Sequence, residues 1–502
     1  MANRPSFVIF ITDQQQAGML GCAGDALVQT PNIDAMAANG TMFDRFHVAM
    51  PSCMPNRASL LTGLYPSVNK VRFNGIPLPQ DAVTFPRLFQ DNGYRTGLVG
   101  KGHLQPILEP YPDQTSSTGD WWRRELDDRG REICGPYYGY DPLSVVTGHG
   151  DQCGGNYEAW LAERLPDYQS HIGPQNQLPH NYSCPQAVRT KLPEEVYPTA
   201  YIEEEAIGFL ERHAALEGQN PFLLVVSFPD PHHPFNPPGR YWDMYDPDDV
   251  TLPENFAAPN TDLPHLQAVR AARSEGTDNR DGYGAVGLGE REAREAIALT
   301  YGMITMIDDA IGRVRAKMAE LGLAEETIEI FTSDHGDLLG DHGLMFKGPL
   351  HYQSLIRVPF VMTDPHNSNG GGRDNRLFSG VDLAASLCDR AGIPDPGFTH
   401  GLSVFDGKSD RTSLLIEDEY QTPTLCFDTA PSLRTLVTDC YRMTVFHGQD
   451  WGEIYDLYED PHEIRNLWSS DQHRAVQEDL LRRLADKMME ATDRRDPPRS
   501  VA

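Results

Sequence analysis

Positive charge is scarce in this sequence. Lys and Arg number 42 against 72 Asp and Glu, a formal charge of −30. So acidic a surface repels nucleic acid and anionic membranes, which excludes both as partners. An anionic substrate is admitted only where a few cations are concentrated in one pocket. Long apolar runs are lacking as well. The opening MANRPSFVIFITDQQQ offers five consecutive apolar residues before Thr12 and Asp13, too short for a signal-peptide core. No run reaches the roughly 20 residues that span a membrane, so the expectation is a soluble, cytoplasmic protein. Paired cysteines are absent too. The eight cysteines (22, 53, 134, 153, 184, 388, 426 and 440) form no CxxC, which argues against a zinc knuckle or a disulfide framework. There is no internal repeat and no low-complexity tract.

What is present is an alternation of short apolar runs with helical patterns. It predicts an α/β fold with a large, mostly parallel central sheet flanked by helices, followed by a smaller C-terminal α+β subdomain. FVIFI (7–11), YRTGLVG (94–100), FLLVVSF (222–228) and IEIFTS (328–333) read as buried strands. TPNIDAMAANG reads as a helix capped by Thr30, opened by Pro31 and ended by Gly40. Ile297, Tyr301, Ile304, Ile307, Ile311, Val314, Met318 and Leu321 recur at spacings of three and four, predicting a helix over 290–321 stopped by Gly322. RTSLLIEDEY and SLRTLVTDCYRMTVFHG read as strands and a hairpin, and 472–492 as a charged helix. The expected division is a catalytic domain over 1–400 and the subdomain over 401–502. Two long stretches, 104–195 and 257–288, read as irregular insertions that wall a substrate or contact a subunit.

Each of the four strands ends in polar residues. Asp13 and Gln14 follow the first, Lys101 and His103 the second, Asp230, His232 and His233 the third, and Asp334, His335 and Asp337 the fourth. Ligands of open α/β sheets bind beyond the carboxyl ends of the strands, so the four bursts point to one shared polar site. Asp13, Asp334 and His335 are mostly hard donors and suit calcium, magnesium or manganese better than a thiolate zinc site. Lys101, His103, His232 and Lys347 supply local cation and donor groups. Cys53 opens MPNRASLLTG, a helix start whose free N–H groups favour negative charge, with Arg57 one turn inside. That setting suits a bound oxyanion or a low-pKa thiolate nucleophile, and residue chemistry leaves both open.

At this point the sequence resembles the type I sulfatases of the alkaline phosphatase superfamily. CMPNRASLLTG fits their C-x-P-x-R signature, and the likeness continues through TPNIDAMAANGTMF, GKGHL, PHHPF, TSDHGDLLGDHGL, KGPLHYQSLIRVPF, VDLAASLCDRAGI and EIYDLYEDPHEIRNL. The resemblance implies that a maturation enzyme oxidises Cys53 to formylglycine. The hydrated aldehyde then attacks sulfur through one oxygen and expels sulfate through the other. It implies Asp13, the side chain at 53, Asp334 and His335 as ligands of one divalent cation, calcium first, then manganese or magnesium. Gln14 stands where many members have a second aspartate and is a weaker ligand candidate. His335 replaces the asparagine of other members. Arg57 would orient the diol, His103 would act as base beside Lys101, and His232 with Lys347 would hold the sulfate and protonate the leaving oxygen. Gly102 stands where tryptophan is frequent and would widen the pocket. His233 is read as a supporting residue. His149 and Asp151 on a loop, and Asn74 in RFNG, are candidates to line the substrate pocket, against the plainer reading of an ordinary loop and turn.

The resulting expectation is hydrolysis of small-molecule sulfate monoesters. The alternative is a phosphonate monoester or phosphodiester hydrolase, whose formylglycine-bearing members lack the Lys-x-His element seen here as Lys101 and His103. A binding protein without catalysis is the third reading. Trp121, Trp122, Tyr137, Tyr138 and Tyr140 are candidates to stack on a sugar or aryl group, or to cage a quaternary amine. The long insertions also suit a homo-oligomer.

Overall fold

Every residue of the first strand, β1 (Ser6–Thr12), is buried. The reason is layering: Val8 and Phe10 join the core on one face of the sheet, while Phe7, Ile9 and Ile11 join the core on the other. A strand covered on both faces has no polar side to alternate with, which is why such strands read as unbroken apolar runs. The computed structural model describes residues 4–105, 137–216, 220–258, 263–366, 371–394, 396–405 and 411–495.

The other strands of the central sheet are β2 (Thr41–Phe43), β3 (Arg95–Lys101), β4 (Leu143–Thr147), β5 (Gly154–Gly155), β6 (Phe222–Ser227), β7 (Thr327–Ser333), β8 (Phe360–Thr363) and β9 (Gly372–Asp374). The sheet order is β9-β2-β8-β7-β1-β6-β3-β4-β5. Pairing is parallel from β7 across β1, β6 and β3 to β4, with antiparallel joins at β8 and β5. The four strands read from sequence thus lie side by side and run the same way, so their carboxyl ends form one edge.

Helices seal the faces. Helix α1 (Pro31–Asn39), α3 (Pro198–Ala214) and α4 (Glu290–Glu320) pack on one side, and α2 (Cys53–Thr62) on the other. The apolar stripe foreseen along α4 is buried from Ile297 to Met318. Each such Ile or Leu side chain stabilises the fold by about 1.5–3 kcal/mol relative to exposure. Thr30 precedes α1, but its side chain makes no cap. Asp308 of α4 takes the N–H groups of Asn32 (3.0 Å) and Ile33 (2.8 Å) instead.

The C-terminal subdomain is an antiparallel sheet of β10 (Ser413–Glu419), β11 (Ser432–Thr438), β12 (Tyr441–Phe446) and β13 (Gly452–Asp456), with α5 (Arg474–Glu490) packed on it. Two sequence expectations fail. Residues 104–195 are not simply an irregular insertion, since β4 and β5 extend the main sheet and Asn156–Arg164 is a helix. Residues 257–288 likewise hold a helix, Pro264–Glu275. Both elements are short and flanked by Pro and Gly, and the surrounding composition hides their periodicity. No described helix is long and apolar enough to cross a membrane.

Candidate active site

The hydrogen-bond ladder continues just past the strand ends. Asp13 N–H donates to the Asp230 carbonyl (3.1 Å), and Asp334 N–H donates to the Thr12 carbonyl (3.1 Å). This continuation holds the polar bursts in register. Gly100 allows β3 to join them: its φ is +100°, and a Cβ there would sit 1.9 Å from the Ser227 carbonyl oxygen. Lys101, one residue on, is fully buried and bonds Asp13.

Cys53 begins α2, buried, against the free N–H groups of the first turn. Its Sγ lies 3.1 Å from His335 Nε2, 3.3 Å from Lys347 Nζ and 3.8 Å from Asp13 Oδ1. Donor atoms of Asp13, Cys53, Asp334 and His335 all fall within 4.8 Å of one another. The orientation of His335 also suits a cation. Its Nδ1 must donate to the Gly336 carbonyl (2.8 Å), which leaves the Nε2 lone pair facing the group. Two carboxylates and one imidazole thus fit a divalent ion, with side chain 53 as the fourth donor.

Arg57 is committed to this frame. Nε donates to Asp334 (2.7 Å), and Nη1 donates to the Lys101 carbonyl and Ser227 Oγ. Only Nη2 lacks a hydrogen-bond acceptor. Burial works against ionisation of Asp13, yet the Lys101 ammonium above all holds its carboxyl well below the usual range. Burial and Asp13 push the Cys53 thiol up, but the Lys347 and Lys101 ammonium groups lead the interactions that lower it.

Lys347 Nζ also reaches His335 Nε2 (3.1 Å), Gln14 Oε1 (3.2 Å) and His232 Nε2 (3.5 Å). Gln14 donates its amide to Asp337 (2.5 Å) and to His233 Nδ1 (3.0 Å), so its side chain is spent on the surroundings of Lys347. Its backbone N–H meets Asp334 Oδ1 (3.1 Å). His232 stacks on His149, with ring centroids 3.7 Å apart and planes 13° apart. His149 accepts from Lys101 Nζ (2.7 Å). Burial, then Lys101, lowers His149 to about 4. Burial likewise drives His232 and His233 well below the ordinary imidazole value, so all three rings are neutral near pH 7. His103 is half-buried with no partner for Nδ1, and burial, Lys101 and Arg57 keep it neutral too.

The remaining candidates have other work. Asn74 Oδ1 accepts from Met54 N–H (3.0 Å), capping the turn that carries Cys53. Asp151 accepts from Thr190 and from Gly173 N–H, tying two loops together. A side chain at Gly102 would meet Tyr137 and Leu98 at 3.1–3.2 Å, so this glycine fits a packed contact and does not widen a pocket. Tyr137, Tyr138 and Tyr140 are core residues, and Trp121 and Trp122 lie outside the described residues.

Asp337, read from sequence among the polar residues after the fourth strand, accepts from Leu339 and Phe346 N–H (both 2.8 Å) and so shapes the loop that presents Lys347. One contributor escaped the sequence reading: Tyr283, which stands over the histidines, gave no signal.

The chain is similar to known proteins over nearly its whole length. The profile of the family described as Sulfatase matches residues 5–393, and that of N-sulphoglucosamine sulphohydrolase, C-terminal, matches 340–490. An arylsulfatase of Clostridium perfringens is 29% identical over 515 residues, covering 98% of this chain and 95% of its own. The phosphonate monoester hydrolase of Agrobacterium radiobacter superposes with a TM-score of 0.79 at 24% identity, over 98% and 96% of the two chains. A structure in complex with its substrate D-glucosamine-2-N,6-O-disulfate superposes at 0.72 and 21% identity, over 97% and 98%.

Proposed function

We propose, from the premise that this chain belongs to the sulfatase family, a sulfuric ester hydrolase whose nucleophile is made at Cys53 by oxidation to formylglycine. The observation that carries the reading is the position of Cys53, buried at a helix N-terminus within 4.8 Å of the donors of Asp13, Asp334 and His335. Those three residues and side chain 53 would hold one divalent cation. Calcium suits the hard donors best, then manganese or magnesium. When bound, the ion supplies Lewis-acid stabilisation of developing negative charge.

The chain's own groups divide the remaining work. Lys101 and Lys347 place two ammonium groups around side chain 53 and would hold the sulfate oxygens. Arg57 fixes Asp334 and turns Nη2 toward Asp13, 3.9 Å away. His232 Nδ1 must donate to the His233 carbonyl (2.5 Å), so its Nε2 is an acceptor facing Lys347. The proton for the departing oxygen therefore comes from the Lys347 ammonium, which His232 holds in place. His103, neutral and unpartnered at Nδ1, would take up the proton released as side chain 53 is restored.

The test is hydrolysis of 4-nitrophenyl sulfate. Cys53→Ala is expected to lose about 10³-fold or more in kcat/KM, the scale of removing a nucleophile that works as part of a unit. Undiminished turnover, or an intact mass of active protein showing only the thiol, would overturn the reading. The same scaffold serves the phosphonate monoester hydrolase above, so the matched phenyl phosphonate ester belongs in the assay. A large rate excess for that ester would reverse the assignment.

A further inference from the structure

Tyr283 is a large aromatic residue left 60% exposed, yet it lies on an anchored segment. Gln186 donates to the Gly282 carbonyl (2.7 Å), Arg280 pairs with Glu292 (2.6 Å), and Gly284 bridges to the backbone of Lys347. A side chain held so firmly and left uncovered has one face free for something else. Its ring centroid is 5.4 Å from His233, 6.0 Å from His232 and 6.3 Å from His149, at angles of 42–52°. These are the separations at which aromatic rings attract one another.

The position relative to the chemistry is what gives this meaning. A path of short contacts runs from Cys53 Sγ to Lys347 Nζ (3.3 Å), to His232 Nε2 (3.5 Å), and on to the Tyr283 ring. A sulfate held at Cys53 with its ester oxygen toward Lys347 would extend its alcohol half along that path. The wall it meets is the His149–His232 stack with Tyr283 leaning over it. The wall offers the flat polarisable surface of stacked rings.

We infer that Tyr283 is a specificity residue: with the edge of the His149–His232 stack it forms a subsite for a planar ring on the leaving alcohol, favouring aryl sulfates over esters that present no ring. This rests on the sulfatase reading above. Inorganic sulfate serves as the ring-free probe of the same anion site. Tyr283→Ala is expected to lower kcat/KM for 4-nitrophenyl sulfate about tenfold, the size of a lost ring–ring contact with its buried area. Inhibition by inorganic sulfate should be unchanged, and Tyr283→Phe should retain the wild-type value. Three results would overturn the inference: no loss in Tyr283→Ala, equal weakening of sulfate inhibition, or an equal loss in Tyr283→Phe, which would make the hydroxyl the operative group. Calorimetric binding of 4-nitrophenyl sulfate and sulfate in the Cys53→Ala background, with and without Tyr283→Ala, separates the two readings. A ring-dependent affinity that vanishes with Tyr283 supports the subsite even where the wild type shows no turnover, an outcome that would sink the sulfatase reading alone. Equal affinity for the two probes, with Tyr283 present, would sink the subsite.

Discussion

Two clusters of buried charge differ in how completely they close. In the C-terminal subdomain Arg442 is fully buried. Its Nε pairs with Glu463, Nη1 donates to Thr444 (2.8 Å) and Nη2 donates to Glu453 (2.9 Å). Tyr352 and Tyr455 cover its faces at 5.1 and 4.6 Å. One cation meets two carboxylates, and every guanidinium nitrogen has an acceptor. At the strand ends the balance is reversed. Lys101, Arg57 and Lys347 face Asp13 and Asp334, Arg57 Nη2 has no acceptor, and Lys347 is surrounded by imidazole, sulfur and amide. A cation whose every donor is met braces the fold. Cations in surplus over their carboxylates, with a donor left over, form a receptor for an anion, here an anionic ester in a chain whose net charge is −30.

That contrast can be broken from either side. Lys347→Ala removes a cation from the open cluster. It should cut kcat on 4-nitrophenyl sulfate by about 10²–10³-fold, the usual loss for one electrostatic stabiliser, with the melting temperature nearly unchanged. Arg442→Met should do the opposite. Two carboxylates remain buried without their partner, so denaturant unfolding should show a loss of about 3–5 kcal/mol, while kcat of the folded fraction is retained. Loss of kcat with stability kept in Arg442→Met would abolish the distinction drawn here.

The smallest effect sharpens the boundary between the clusters. Asp230 is buried beside the open site, and burial pushes its carboxyl up to about 7 against hydrogen bonds from Tyr197 and Thr199. The folded protein therefore keeps a proton that the unfolded chain releases above about pH 4. Its contribution to stability is full below pH 4 and is lost as the pH rises through 7. Asp230→Asn removes that dependence. The melting temperature of the wild type relative to the variant should thus be higher at pH 5 than at pH 8, measured by thermal unfolding at the two pH values.

Much of the site was readable before the fold was known, because parallel strands covered on both faces leave unmistakable apolar runs and the chain turns polar where each run ends. Asp13, Lys101, Asp334 and His335 were legible for that reason. Leu143–Thr147 was missed because five residues among Pro and Gly carry too short a period. The cap on α1 was missed because its acceptor, Asp308, is 276 residues from Asn32. Tyr283 was missed because an exposed tyrosine in a polar loop has no pattern at all.

The sequence by itself determined what depends on near neighbours in the chain: which runs are strands, where the long helix lies, and that Cys53 opens a helix with Arg57 one turn on. Only the tertiary structure decided which strand ends adjoin. The order β7-β1-β6-β3 interleaves segments beginning at residues 327, 6, 222 and 95. It also decided that His149, His232 and His233 are neutral, that Asn74 caps a helix, and which cations remain uncompensated. Desolvation and Coulomb interaction fall off with distance through space, and residues hundreds of positions apart acquire that distance only when the sheet assembles.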